Sequence, residues 1–312
     1  MRAAGAACAA LLVLAGCGGL PQRPAGLPER VELSSVPFHP QVEYQCGPAA
    51  LATLLQASGA SVSPEALVGE VYLPGRRGSL QAELVAATRR HGRVPYVLAP
   101  EPEALYAELA AGRPAVVLQN FGSRRSPEWH YAVAIGYEPG RVLLRSGLTE
   151  RQAVRESRFL GTWYRGDSWA LLALRPGELP ATATPRRYLE AVAGLEATGR
   201  AAEAAVSFEA AAQRWPHEAS AWLGLGNARL VLGDAAAAER AFAAALDAAP
   251  THAAARNNYA ELLARRGCLA AARVQIARAV AAARGTPLEE AVLRTQRELD
   301  ARPAAREPAG CP

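Results

Sequence analysis

The stretch "VPFHPQVEYQCGPAALATLLQAS", Val36 to Ser58, carries one Cys ahead of Gly-Pro and a run of small apolar residues. Gly47 lets the backbone approach a neighbour closely, and Pro48 suits the first turn of a helix. The run from Ala49 onward continues as that helix, which puts Cys46 at its N-terminus. Unpaired N–H groups and the helix dipole there favour the thiolate, the reactive form of the side chain. Five residues earlier stands Gln41, an amide donor able to face a developing oxyanion. A small hydrophobe at the mouth of a helix is the plain alternative. A partner base decides between the two.

Five histidines occur. His39 precedes the oxyanion candidate, His91 follows Arg89-Arg90 at a helix end, and His217 and His252 occupy matching loop positions. His130 opens the strand-like run "HYAVAIGYE" and is the candidate base. A third group should orient its imidazole. Segments 130–137 and 141–147 form a hairpin across Glu138-Pro139-Gly140. If Tyr137 faces Arg141, paired positions sum to 278, so His130 lies opposite Leu148 and diagonal to Ser146. Ser146 is the geometric candidate, with Asp167 and Asn120 left open. Trp163 and Trp169 read as core or cleft wall.

Outward from this segment, the protein begins with Arg2 and the apolar stretch "AAGAACAALLVLAG", too short for a permanent membrane span. It ends in Leu14-Ala15-Gly16-Cys17, which resembles the lipobox of bacterial lipoproteins. The resemblance implies cleavage after residue 16, acylation of Cys17 and, with Gly rather than Asp at 18, the outer membrane facing the periplasm. Residues 17–30 read as a Gly/Pro tether. The five cysteines then divide into Cys8 in the discarded segment, Cys17, Cys46, and a Cys268–Cys311 pair that an oxidising compartment makes available. No CxxC or His cluster suggests a metal, and no cofactor is expected. The net charge of +5 is scattered, without the basic stripe that nucleic-acid binding requires.

Composition shifts near residue 180 from mixed strands and helices to Ala, Leu, Glu and Arg at helical spacing. Pro216 and Pro250, Phe208 and Phe242, and Gly199, Gly233 and Gly267 all recur at 34 residues. This period resembles the tetratricopeptide repeat. Units at 185–218, 219–252 and 253–286 are followed by a capping helix near 287–301. The middle unit, with Trp222, Leu225, Gly226, Ala238, Phe242 and Pro250, fits best. The repeats imply a protein partner.

Gln41, four residues, Cys46-Gly47-Pro48-Ala49 and the later "HYAVAIGY" are similar to papain-like peptidases that remove double-glycine leaders from bacteriocins. A closer likeness is to the lipoprotein branch bearing C-terminal repeats. The similarity implies Cys46 as nucleophile, His130 as base and Gln41 as oxyanion donor. Two departures stand out: Ser146 where the family usually has Asp, and Gln five rather than six residues before Cys. The expected architecture is an α+β papain-like cysteine peptidase domain followed by an all-α tetratricopeptide-repeat solenoid. In segments, this is a signal peptide over 1–16, the tether over 17–30 and the peptidase over 31–178. Repeats with their cap cover 185–302 and a disordered tail 303–312. The expected function is a membrane-anchored cysteine peptidase acting on a peptide or protein substrate. Alternatives are a non-catalytic peptide-binding scaffold and a cell-wall peptide hydrolase, the latter disfavoured because that family has Asp-Cys-Ser-Gly at its nucleophile.

Overall fold

The computed structural model describes residues 25–41, 45–303 and 306–311. The expectations for residues 1–24, including acylation of Cys17, lie outside the described residues. Among the described residues, no helix is long and apolar enough to cross a membrane.

The first half is one seven-stranded sheet: β1 (Val31–Glu32), β2 (Val94–Val97), β3 (Ala115–Asn120), β4 (Trp129–Glu138), β5 (Arg141–Ser146), β6 (Thr149–Arg155) and β7 (Ala170–Leu174). The strands run in the order β2-β7-β3-β4-β5-β6, with β1 added beside β4, and every pairing is antiparallel. Alternation assigns the faces. Val116, Leu118, Tyr131, Val133 and Ile135 point to α1 (Cys46–Ala57), α2 (Pro64–Val71) and α3 (Gln81–Arg90). Ala115, Val117, Ala132 and Ala134 point to α4 (Pro102–Ala110) and α5 (Glu156–Tyr164). Both faces are covered, which explains why the strands read as nearly continuous apolar runs.

The hairpin departs from the expected register at the turn. Tyr137 pairs with Val142 and Glu138 with Arg141; an irregularity between Ala134 and Gly136 then brings Val133 opposite Arg145. Pairs therefore sum to 279 near the turn and 278 beyond the bulge. The extra residue places Tyr137 in the α4 core while Ile135 stays in the α1 core. Gly136 is required there: a Cβ would lie 2.1 Å from the Val31 carbonyl oxygen.

The second half pairs α6 (Pro185–Glu196) with α7 (Ala201–Arg214), α8 (Ala219–Val231) with α9 (Ala235–Ala248), and α10 (Ala253–Arg265) with α11 (Leu269–Ala283), then ends in α12 (Glu289–Asp300). These are the three repeat units and the cap. The small residues do what the 34-residue period implied. A Cβ on Gly226 would sit 2.4 Å from the Phe242 ring, and one on Gly224 equally close to Phe208 of the preceding unit. Cys311 is disulfide-bonded to Cys268 across 43 residues, the pairing that the sequence offered. That bond leaves Cys46 as the free cysteine among the described residues.

The halves share a core. Tyr188, Val192 and Leu195 of α6, with Ala204 and Phe208 of α7, pack in the same cluster as Val94, Tyr96, Leu172 and Leu174. Burial of each large apolar side chain contributes roughly 1.5–3 kcal/mol, so the first repeat is seated on the β2 edge. The linker between the halves is held by fully buried Glu108, which pairs with Arg113 at 2.6 Å and accepts from the Ala181 and Thr182 N–H groups and the Thr182 hydroxyl.

Candidate functional site

Cys46 opens α1, whose first intrahelical bond runs from Ala49 N–H to the Gln45 carbonyl. Gly47 follows because Ser79 leaves no room: a Cβ would lie 2.3 Å from the Ser79 hydroxyl. The thiol faces a cleft of about 770 Å³ whose walls include Gln41, His130, Trp129, Arg76 and Asp167. Gln41, Cys46 and His130, read from two separate stretches, thus border one space.

The cleft exists because β4 and β5 separate at this end. Past the Val133–Arg145 pair, the next bonded partners on that side would be Tyr131 and Gly147. Instead the Gln41 carboxamide stands between them. Its Nε2 donates to the Tyr131 carbonyl at 3.1 Å, and its Oε1 accepts the Gly147 N–H at 3.0 Å. The Gln41 backbone N–H also donates to the Gly147 carbonyl at 3.0 Å. The side chain imitates a peptide group and spaces the strands. Tyr131 N–H then turns to the Cys46 sulfur instead of a strand partner. One Nε2 proton of Gln41 is engaged this way, and an amide carries a second.

His130 is held by Ser146: Nε2 and the Ser146 hydroxyl are 2.9 Å apart. The diagonal placement across the hairpin therefore brings the two together, and the bulge at Ile135 offsets the one-residue shift at the turn. With Nε2 so engaged, Nδ1 is the ring nitrogen that Ser146 does not engage. Phe121 leans on the imidazole, with ring centroids 5.4 Å apart. Asn120 closes the β3–β4 loop by accepting from the Gly122 and Glu128 N–H groups, while Asp167 borders the cleft. His39 contacts Gln56 and His91 pairs with Glu70, both away from the cleft lining. Trp163 is buried core, and Trp169 packs edge-on against Tyr131.

Electrostatics correct one expectation. Burial pushes the Cys46 thiol above its ordinary value, and the N–H groups of Tyr131, Gly47 and Cys46 pull back only in part. The helix N-terminus helps the thiolate, but desolvation is the larger effect. Burial likewise pushes the His130 imidazole below its ordinary value. In both side chains desolvation works against the charged form. Two features escaped the sequence reading. The Tyr131 N–H has no side-chain signature, and the spacer role of Gln41 depends on a strand separation that only the fold creates.

Residues 33–165 match the Peptidase_C39 like family, and residues 189–251 and 225–287 match the tetratricopeptide repeat. No curated protein matches the sequence. Among solved structures, a Bacillus anthracis protein described as a putative C39-like peptidase is 22% identical with a TM-score of 0.39, over 46% of this chain and 96% of its own. A double glycine motif protease from an AMS/PCAT transporter, solved with a leader peptide, is 19% identical with a TM-score of 0.34, over 45% and 91%. The Yersinia enterocolitica type III secretion translocator chaperone SycD is 20% identical with a TM-score of 0.35, over 37% and 81%. Residues 33–165 are therefore similar to the Peptidase_C39 like family, and the helices behind them to the tetratricopeptide repeat.

Proposed function

We propose that the protein is a lipid-anchored bacterial cysteine peptidase in which Cys46 is the nucleophile, His130 the general base and Ser146 the group that positions the imidazole. Acylated Cys17 holds it to the outer membrane facing the periplasm, and the repeats hold a protein partner or substrate. The observation that carries the reading is the shared cleft. Cys46, Gln41 and His130 line it together, the Tyr131 N–H favours the Cys46 thiolate, and the Ser146 hydroxyl lies 2.9 Å from His130 Nε2.

In the reaction, His130 Nδ1 takes the thiol proton as sulfur attacks the scissile carbonyl carbon. The oxyanion receives the second Nε2 proton of Gln41 and the Cys46 N–H. His130 then gives its proton to the leaving amine, which departs and leaves a Cys46 thioester. Water, deprotonated by His130, hydrolyses that ester. Profiling of new N-termini in cells with wild-type protein and with Cys46→Ala tests the reading. Cleavages present only with the wild type support it; identical profiles overturn it.

A second reading is a peptide-holding scaffold, favoured by the neutral Ser146 and the burial of Cys46. Full complementation of a deletion phenotype by Cys46→Ala would establish it.

A further inference from the structure

A second cavity, of about 650 Å³, lies on the far side of His130, between β5, β6 and α5. Its volume falls in the range of small-ligand sites, about 300–1,000 Å³. Three arginines line it, Arg141, Arg155 and Arg158, and no carboxylate does among the described residues. Glu156, which lies between two of them in sequence, accepts from the Tyr106 hydroxyl at 2.5 Å. The floor is Gln119, buried in β3 and 2% exposed. Its Nε2 donates to the Thr162 hydroxyl at 2.6 Å, whereas its Oε1 is buried without a hydrogen-bond partner.

The cavity adjoins the proposed catalytic group. Gln119 is the cross-strand partner of His130, and Phe121, on the cavity wall, packs against the imidazole. Phe121 and Trp129 are 43% and 51% exposed, an apolar saddle between the cleft and the cavity. An imidazole that protonates a leaving amine stands on the leaving-group side of the scissile bond. The substrate residues that follow that bond therefore pass over Phe121 toward the arginines.

We infer that this cavity binds a carboxylate on the substrate segment C-terminal to the scissile bond, with Arg155 and Arg158 pairing the carboxylate. The inference rests on the peptidase reading for the direction in which the substrate runs, but carboxylate binding is measurable without turnover. Its source is either an acidic side chain or the free C-terminus.

The test uses the full-length protein with Cys46→Ala and a positional-scanning library of labelled short peptides. Each is made with Glu or Gln at every position and with an amidated or free C-terminus. Fluorescence anisotropy at low salt should show carboxylate-bearing peptides binding about 10-fold tighter than their neutral partners. Preference for Glu identifies a side chain, and preference for the free acid identifies the terminus. In Cys46→Ala/Arg155→Ala/Arg158→Ala the preference should vanish; both arginines are exposed, so folding should survive, as circular dichroism checks. No binding, no preference in the library, or a preference that outlives the arginines overturns the inference. Preference retained with no hydrolysis by the wild type sinks the peptidase reading alone.

Discussion

At the residue scale, the proposed chemistry turns on two half-buried side chains whose charged forms desolvation disfavours. The Cys46 thiol lies above its usual value and the His130 imidazole below its own. The base must be neutral to accept a proton, so activity should persist as pH falls to the ordinary imidazole value of about 6.5 and drop only beneath it. A kcat/KM profile on a cleaved peptide checks the sign. An acid limb centred above about 6.5 would mean that an anion faces the ring. Iodoacetamide should label Cys46 in the free protein with a midpoint above the ordinary thiol value of about 8.5. Ser146 offers the imidazole a hydrogen bond but no charge. Ser146→Asp would put a carboxylate beside the ring, stabilise imidazolium and so the thiolate, and lower the labelling midpoint by about 1–3 units. An unmoved midpoint would show that this position does not act on the imidazole.

At the scale of elements, α1 reaches its place because one close contact permits it. Gly47 lies against Ser79, and Gly47→Ala would drive a methyl into that hydroxyl and its Cβ at 2.3 and 2.6 Å. Overpacking of this kind costs about 1–3 kcal/mol, and chemical denaturation should register the loss. A wild-type midpoint would mean that the 73–79 segment yields freely. The hairpin of β4 and β5 shows how much an element's register owes to its surroundings. The alternation "YAVAIGY" places Tyr131 and Tyr137 on one face of an ideal strand. The bulge sends them to opposite cores. Its cause is β1, whose Val31 carbonyl comes too close to Gly136 for any side chain. Sequence could mark the glycine but not the distant strand that requires it.

At the scale of the whole molecule, the peptidase-like domain and the first repeat share apolar packing across the β2 edge. Glu108 fastens the linker beneath them. Glu108→Ala would strip Arg113 of its buried partner and leave the Ala181 and Thr182 N–H groups without an acceptor. Breaking a buried pair from one side costs about 3–5 kcal/mol. We expect a lowered denaturation midpoint and, in the variant, two transitions where the wild type shows one. Two transitions already in the wild type would show that the shared core does not couple the halves. At the far end, the Cys268–Cys311 bond closes a span of 43 residues over the last repeat. Cys268→Ser should cost about 2–4 kcal/mol in the repeat half, measured as a lower thermal midpoint; no shift would assign the bond no part in stability.

The helix that Cys46 opens, the strand that carries His130, the repeat period and the change of architecture near residue 180 were all written in the sequence. Each depends on local chemistry or on periodicity, which neighbouring residues carry by themselves. Tertiary structure alone decided the spacer role of Gln41, the desolvation of the thiol and imidazole, the seating of the repeats on the sheet edge, and the arginine-lined cavity behind His130. These arise where segments far apart in sequence exclude water from one another or take each other's hydrogen bonds, and no local pattern encodes such proximity.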